Sequence, residues 1–223
     1  MQTALHEQNC DFVCLQETQG EHHKRKNKIV NWPEQSQVEF LANNHWPHFI
    51  YGKNAIYKNS HHGNGLLSKY PIQQWENIDI STKKYSSRSI LHGIIKLPEQ
   101  NKSLHILCTH LGLFAHERQE QLANLTARLK SHVPHDEPLI IAGDFNDWRK
   151  QAEQHICETL QLKEAFYETH QKYAKTFPAM HPTLAVDRIY YRGLTLVQCE
   201  KIVAKPWRKL SDHIPLWANF IIK

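Results

Sequence analysis

The chain has 223 residues, of which 40% are hydrophobic and 22% charged, a composition typical of a globular domain that can bury a full core. Its formal net charge of +5 suits an anionic partner, but the sequence has no lysine or arginine block of the kind found in nucleic-acid-binding tails. No apolar run approaches transmembrane length and the first residues carry no hydrophobic signal core, so we expect a cytoplasmic protein.

The cysteines argue against two further classes of protein. The five cysteines are odd in number and include no Cys-x-x-Cys pair, which indicates neither a disulfide framework nor a zinc ribbon. Cys14 and Cys108 stand within apolar stretches and are predicted to be small core residues. A zinc or redox protein is therefore disfavoured, and a reducing compartment is the simpler interpretation.

The first half of the chain reads as short helices and buried strands. Helices are predicted at 4–9 and 33–43, and strands at 11–15, 48–51, 65–68, 89–95 and 103–108. The stretch between the second and third strands, rich in Gly, Asn and His, is predicted to be a loop. Residues 98–101 are expected to turn a hairpin between the last two strands.

The second half alternates helices with strands. Helices are predicted at 117–129 and 149–160, and strands at 138–142, 187–191, 194–198 and 214–222. Leu122, Leu125 and Leu129 fall on one face of the first of these helices. Strands interrupted by helices, with hairpins among them, indicate α+β or mixed-sheet layers.

Polar side chains follow several of these strands. Glu17 comes after four apolar residues and just past the end of its predicted strand. Asp144 and Asn146 form an Asp-x-Asn motif, in which both side chains point the same way because alternate residues share a face. Instead of a functional group, Glu17 could be an ordinary solvent-facing carboxylate, and the Asp-x-Asn motif could be an Asx turn that closes the strand.

The remaining candidates lie at the starts or ends of other strands. His110 directly follows a buried strand, where a satisfied core histidine is the more common finding. Asp187 opens a strand, as a cap, as a partner of Arg188 or as a functional carboxylate. Asp212 and His213 open the final strand and form either a structural hydrogen-bonded pair or part of a site.

Together these side chains suit a Mg²⁺ site for phosphoryl transfer. Mg²⁺ prefers hard oxygen ligands and needs only one or two carboxylates beside water and substrate phosphate. Glu17 is the first predicted ligand, with Asp144, Asn146 and Asp212 near the ion or its water. Mn²⁺ is a possible substitute for Mg²⁺.

The two histidines are better suited to proton transfer than to binding Mg²⁺. His110 and His213 are predicted to carry protons or to donate hydrogen bonds to phosphate oxygens, with pKa values near neutrality. A carboxylate such as Asp187 can hold one of them in the required tautomer.

In their order along the chain, these motifs resemble the endonuclease/exonuclease/phosphatase superfamily, which includes deoxyribonuclease, abasic-site endonucleases, sphingomyelinases and inositol-phosphate 5-phosphatases. The matching stretches are 11–18, 63–71, 109–111, 140–148, 187–190 and 210–215. The resemblance implies a four-layer α/β sandwich of two packed mixed sheets flanked by helices. It also implies a single domain over residues 1–223.

The resemblance also implies a role for each matching residue. Glu17 matches the metal-binding glutamate, His110 the first active-site histidine, and Asp144 and Asn146 the Asp-x-Asn pair. Asp187 matches the aspartate that orients the last histidine, and Asp212 and His213 match the final pair. The general base is assigned either to an Asp144-type or to a His213-type residue. Arg88 and Asn64 are the predicted substrate-binding residues.

Two details refine the resemblance. Residues 176–190 resemble a small bacterial subgroup, one member of which is encoded beside a cardiolipin synthase. Members of the superfamily begin with a core strand that carries an Asn, and this chain is expected to lack that strand and to be truncated relative to the family at its N-terminus. Loss of a central strand would expose strand edges and apolar surface.

The predicted function is hydrolysis of a phosphoester by in-line attack of water, as a metal-dependent phosphodiesterase or phosphatase. A phospholipid-like substrate or small diester is favoured over DNA, with no obligate protein partner and a monomeric state expected. The alternatives are a nuclease acting on DNA and a catalytically impaired binding module. The module is supported by the missing first strand.

Overall fold

A computed structural model of the chain describes residues 1–22, 35–58, 60–83, 86–97 and 102–222. Its strands are β1 Phe12–His22, β2 His48–Tyr57, β3 Ser60–Ser68, β4 Ile72–Asp79, β5 Ser89–Lys96, β6 Ser103–His110, β7 Leu139–Asp144, β8 Lys163–Glu164, β9 Asp187–Arg192, β10 Leu194–Lys201 and β11 Leu216–Ile222. Its α-helices are α1 Gln2–Gln8, α2 Gln37–Ala42, α3 Ala115–His132, α4 Gln151–Gln154, α5 Ala165–His170 and α6 Trp207–Leu210, and a π-helical turn spans His155–Thr159.

The largest sheet contains six strands in the order β4-β5-β6-β7-β9-β8. β6 and β7 run parallel, and the other neighbours in this sheet are antiparallel. Parallel neighbours need a long crossover, which α3 supplies here. The apolar face predicted for this helix is confirmed, because Leu122, Leu125 and Leu129 are buried in one cluster with Leu139 and Ile141 of β7.

A second, smaller sheet packs against the opposite face of the first. It contains three antiparallel strands in the order β1-β3-β2. Ile50 of β2 and Leu66 of β3 share a buried cluster with Leu91 of β5 and Ile106 of β6. Helices α1 and α2 cover its outer face, where Leu5, Val38 and Leu41 are buried with Trp46.

The hairpin β10-β11 forms a separate two-stranded sheet. Apolar contacts attach it to the rest of the fold: Leu196, Ala218 and Phe220 pack against a cluster that contains Ile189 and Tyr191 of β9. Among the described residues, β1 and β11 each have a strand partner on one side only. The predicted α/β fold with mixed sheets flanked by helices is confirmed, but the smaller layer is divided into two hydrogen-bonded units.

Several predicted boundaries were wrong. The loop expected between residues 51 and 65 is instead the paired continuation of β2 and β3. β4 was missed, because five of its eight residues are exposed and its sequence lacks a clean alternation. The second predicted helix of the C-terminal half is shorter and passes into a π-helical turn. The turn predicted at 98–101 lies outside the described residues.

None of the described helices combines the length and the apolar character needed to cross a bilayer.

Candidate active site

The strand register of the six-stranded sheet places three predicted site residues side by side. His110 of β6 pairs with Asp144 of β7, and Asp144 pairs with Asp187 of β9. Neighbouring strands lie about 5 Å apart, so these residues, far apart in sequence, lie side by side where β6 and β7 end and β9 begins. This row of residues is the floor of the candidate site.

Asp144 and Asn146 form a compact hydrogen-bonded unit at the end of β7. The Asn146 backbone N–H donates to Asp144 Oδ1 at 2.8 Å, and Asn146 Nδ2 lies 3.2 Å from Asp144 Oδ2. Asn146 adopts a left-handed conformation with φ 49°, which an asparagine tolerates better than most residues. The Asx turn considered for this motif is therefore present, and it fixes both side chains beside His110.

His110 lies between two carboxylates. Its Nε2 is 3.5 Å from Asp144 Oδ2 and 3.3 Å from Asn146 Nδ2, while its Nδ1 is 3.7 Å from Glu17 Oε1. Burial, together with the positive charge of Arg88, lowers the pKa of His110 to about 3. The expectation of a near-neutral pKa was wrong for this residue, because the shift favours the uncharged imidazole at neutral pH.

Glu17 reaches the site from the smaller sheet. It lies at a register irregularity of β1 between Leu15 and Thr18 and has φ 53°. β-Bulges commonly redirect a side chain next to an active site. The strand continues to His22, so the prediction that Glu17 follows the strand end was wrong. Its side chain is 66% exposed, which leaves the carboxylate open to solvent at the mouth of the site.

His213 is held by Asp187 on the far side of the row. Its Nδ1 lies 2.8 Å from Asp187 Oδ2, and its ring packs 4.9 Å from the ring of Phe177. Arg188 donates to the backbone carbonyl of Asp187 at 3.0 Å, so the Asp187 carboxylate pairs with the histidine rather than with this arginine. Partial burial disfavours the charged ring, but the hydrogen bond and charge of Asp187 outweigh it and raise the pKa of His213 to about 9. The near-neutral expectation was wrong here too.

The pKa of Asp144 is also shifted strongly. Burial and the neighbouring charge of Asp187 raise it to about 7, against the opposing effects of the Asn146 N–H, His213 and Arg88. A carboxylate with this pKa can accept a proton at neutral pH and release it again. The site thus combines a poised carboxylate, a neutral imidazole and a protonated imidazole, and such separated pKa values are typical of acid–base sites.

The two residues predicted to bind substrate occupy different positions. Arg88 donates from Nε to the carbonyl of Leu111 at 3.1 Å, and its charge acts on both His110 and Asp144. Asn64 does not line the open site. It is fully buried, and its amide donates to the carbonyl of Ser89 at 3.0 Å, which ties β3 to β5. The prediction that Asn64 contacts substrate is corrected to a structural role.

The donor atoms suit a Mg²⁺ ion that keeps part of its water shell. Within the described ranges, no group of three or more His, Cys, Asp or Glu residues is arranged to hold a metal by itself. Glu17 offers an exposed hard carboxylate, and Mg²⁺ commonly binds through one or two carboxylates with water and substrate phosphate. Asp212 is exposed next to Ser211, and its backbone carbonyl accepts from the Ala179 N–H at 2.7 Å. Its role as a ligand, like those of Asp144 and Asn146, stays a prediction.

Sequence reasoning missed two supporting groups. The Leu111 carbonyl accepts from Arg88 Nε and from Asn146 Nδ2, at 3.1 and 3.0 Å, and a main-chain acceptor has no side-chain signature. Arg118 is buried, donates to the Leu113 carbonyl at 2.7 Å and lies over the ring of Trp148. The sequence signal for Arg118 was its position on the same face of α3 as the three leucines.

The chain is similar to known proteins in both sequence and fold. The sequence profile described as the endonuclease/exonuclease/phosphatase family matches residues 1–213. The chain is 41% identical over 219 residues to the uncharacterized protein YbhP of Escherichia coli K12, covering 98% of the chain and 86% of that relative.

Solved structures share the fold at low sequence identity. An endonuclease/exonuclease/phosphatase from Beutenbergia cavernae superimposes with a TM-score of 0.81 at 17% identity, over 99% of the chain. The chain spans only 65% of the length of that structure. The mannosyl-6-phosphatase Bt3783 of Bacteroides thetaiotaomicron gives a TM-score of 0.73 at 14% identity, over 99% of the chain and 89% of the neighbour.

Proposed function

We propose that this chain, which belongs to the endonuclease/exonuclease/phosphatase family, hydrolyses a phosphoester by in-line attack of water. One observation carries the proposal. Asp144, whose carboxylate accepts from the Asn146 N–H at 2.8 Å, pairs in register with His110 on one side and with Asp187 on the other, and Asp187 holds the His213 ring at 2.8 Å. The enzymatic phosphatase activity named for the Bacteroides neighbour is consistent with the same chemistry.

Each side chain then has a definite task. Asp144 accepts the proton of the attacking water, and Asn146 keeps Asp144 oriented through the two hydrogen bonds between them. His213 is protonated at neutral pH and uses Nδ1 to bind Asp187, which leaves Nε2 to donate to a phosphate oxygen. His110 remains neutral and supports the Asp144–Asn146 pair from its Nε2 side.

Glu17 is the residue that would hold a divalent cation, Mg²⁺ in the first instance or Mn²⁺ in its place. When bound, such an ion supplies Lewis-acid neutralisation of charge on the phosphate oxygens. The exposure of the Glu17 carboxylate at the mouth of the site, on the opposite sheet from Asp144, supports this assignment.

A phospholipid-like or small diester substrate is proposed ahead of DNA. The groups proposed to face a phosphate, Glu17 through its cation and His213 directly, are single side chains from different segments of the chain, and they suit recognition of one phosphate at a time. DNA cleavage is the alternative within the same chemistry, and phosphate contacts along a duplex would make binding strongly dependent on salt.

The test uses an aryl phosphodiester and an aryl phosphomonoester with Mg²⁺, with Mn²⁺ and with EDTA. We expect metal-dependent turnover that falls at least about 100-fold in Asp144→Ala, with the thermal unfolding curve retained. Asp136→Ala is the matched control, because the Asp136 side chain is 75% exposed and this residue lies just before β7 begins, at the end of the strand away from Asp144. Turnover that survives Asp144→Ala would contradict the assigned base, and absence of turnover with both metals would favour the binding-module alternative.

A further inference from the structure

A group of cations stands beside the site without taking part in the chemistry above. The loop at residues 171–181 contacts the His213 segment three times: Phe177 packs on the His213 ring, the Ile214 N–H donates to the Thr176 carbonyl at 2.9 Å, and the Ala179 N–H donates to the Asp212 carbonyl at 2.7 Å. This loop therefore borders the reacting groups. Residues 172–180 together with 201–209 are named the basic rim below.

The basic rim concentrates positive charge. Lys201 Nζ donates to the Lys175 carbonyl at 3.3 Å, and Arg208 donates to the carbonyls of Ala179 and Met180 at 3.2 and 3.0 Å. Burial and the neighbouring cations Lys172, Arg208 and Lys175 lower the pKa of Lys201. Among the described residues, none of the ion pairs joins Lys172, Lys175, Lys201 or Arg208 to a carboxylate. Their charge is available to an external anion.

The same two segments expose aliphatic side chains among these cations. Met180 is 58% exposed and Val203 is 45% exposed. Single exposed hydrophobic residues are ordinary, but aliphatic tips set among lysines are suited to the boundary between lipid headgroups and acyl chains.

Binding sites for single-stranded nucleic acid expose aromatic side chains on which bases stack. The aromatic side chains of the rim are engaged within the protein, because Tyr173 stacks on Tyr167, Phe177 packs on His213 and Trp207 is buried, so the combination favours lipid.

We propose that the basic rim seats the protein on an anionic phospholipid surface, with the His213 side of the site next to that surface. Lysines near a negatively charged leaflet are attracted to it, and inserted aliphatic tips add apolar burial. This interaction goes beyond the proposed hydrolysis, because it requires neither metal nor turnover. It would bring the site to esters that lie in the surface.

The test is sedimentation of the full chain with vesicles of phosphatidylglycerol and phosphatidylcholine, compared with vesicles of phosphatidylcholine alone, in the presence of EDTA. We expect binding to the anionic vesicles only, weakened by salt. In Lys172→Glu/Lys175→Glu binding should fall about ten-fold or more, and in Met180→Asn several-fold. The matched control is Lys96→Glu/Lys130→Glu, which makes the same change in net charge at the ends of β5 and α3 that lie away from the site. In this control, binding to the anionic vesicles should stay within about two-fold of the wild-type value.

Three results would overturn the proposal. These are no binding to anionic vesicles, an equal loss in the control variant, and binding of duplex DNA that requires Lys172 and Lys175 while vesicles stay unbound. Hydrolysis of a soluble diester should be unchanged in the rim variants, since neither lysine belongs to the reacting groups. A chain that binds vesicles without turnover, or turns over without binding, therefore separates this proposal from the hydrolytic one.

Discussion

At the scale of single residues, the site depends on two histidines in opposite protonation states. His110 is enclosed and lies near the cation Arg88, so its pKa is lowered to about 3. His213 keeps a carboxylate partner in Asp187, and its pKa is raised to about 9. In the proposed reaction the same side-chain type therefore serves as an uncharged support in one position and as a cationic donor in the other.

The His213–Asp187 pair predicts an alkaline limit to activity. The raised pKa means that the imidazolium form is present below pH 9 and is lost as pH rises through that value. We expect kcat/KM for the soluble diester to fall above about pH 9. In Asp187→Asn the limit should move toward the ordinary histidine pKa of about 6.5, and the maximal rate should fall about 100-fold.

The pH–rate profile is the measurement, with Asp79→Asn as a control at an exposed aspartate outside the site. A profile of unchanged shape in Asp187→Asn, even at reduced rate, would show that His213 does not act as the cation.

At the scale of secondary-structure elements, the close approach of β7 to β6 positions the Asp144 carboxylate. A Cβ added to Gly143 would lie 1.9 Å from the backbone oxygen of Thr109 on β6, and backbone cannot move aside as a flexible side chain can. The absent side chain thus allows β7 to pair closely with β6 directly before Asp144. The same sheet carries on its helix-covered face a buried relay from Arg128 through His92 and His105 to Glu137.

Gly143→Ala tests the close approach. The clash should lower the free energy of unfolding by roughly 2–4 kcal/mol and reduce turnover by displacing Asp144. Gly93→Ala is the matched control, because its nearest neighbour is the Leu66 side chain at 2.8 Å, which can rotate. Denaturant unfolding measures both variants, and an equal loss of stability in the two would contradict the argument.

The relay predicts acid sensitivity of the fold. His92 accepts from Arg128 Nε at 3.4 Å and lies 2.9 Å from His105, so protonation would remove an acceptor and place a cation beside Arg128. Burial and these neighbours lower the pKa of His92 to about 3. The unfolded chain therefore binds a proton below about pH 6.5 that the folded chain does not, and stability falls as pH drops from about 6.5 toward 3.

In His92→Gln this contribution should disappear. The slope of the unfolding free energy between pH 6 and 4 should become shallower by up to about 1.4 kcal/mol per pH unit. His116→Gln replaces an exposed histidine and should keep the wild-type slope. Unfolding at a series of pH values decides the matter, and identical slopes for wild type and His92→Gln would refute it.

At the scale of the whole molecule, the site lies between two sheets. Glu17 belongs to the three-stranded sheet, whereas His110, Asp144 and Asp187 lie at strand ends in the six-stranded sheet. The sheets are held together by apolar clusters, and the β10–β11 hairpin is attached through the same clusters. A ligand that contacts Glu17 and the opposite edge therefore couples the two halves of the fold.

This arrangement predicts that Mg²⁺ stabilises the protein through Glu17. At ten times its dissociation constant the ion should add about 1.4 kcal/mol, or roughly 4 °C in Tm. Glu17→Gln should lose most of this shift, and Glu7→Gln, at an exposed glutamate of α1, should retain it. Thermal unfolding with Mg²⁺ and with EDTA gives the answer independently of any assay of turnover, and an undiminished shift in Glu17→Gln would exclude Glu17 as the ligand.

The sequence by itself determined the elements with strong local patterns. The leucine face of α3 and the buried strands β5, β6, β7 and β9 follow from hydrophobic periodicity, whereas the four-layer α/β sandwich was what the family resemblance implied. The candidates His110, Asp144 and Asp187 also followed from their positions at strand ends, and the structure places them in one row. β4 was missed because most of its residues are exposed, and the pairing of residues 52–57 with residues 60–64 was missed because this stretch is rich in glycine, asparagine and histidine.

Only the tertiary structure showed the pKa shifts on which the roles proposed for the site residues rest. The pKa values of His110, His213 and Asp144 depend on burial and on charges from other strands, which no local pattern encodes. The buried position of Asn64 likewise follows from the packing of β3 against β5 rather than from its neighbours in the chain. The types and order of the residues specify which groups can take part in a reaction. The distances between these groups and their desolvation set the protonation state of each one.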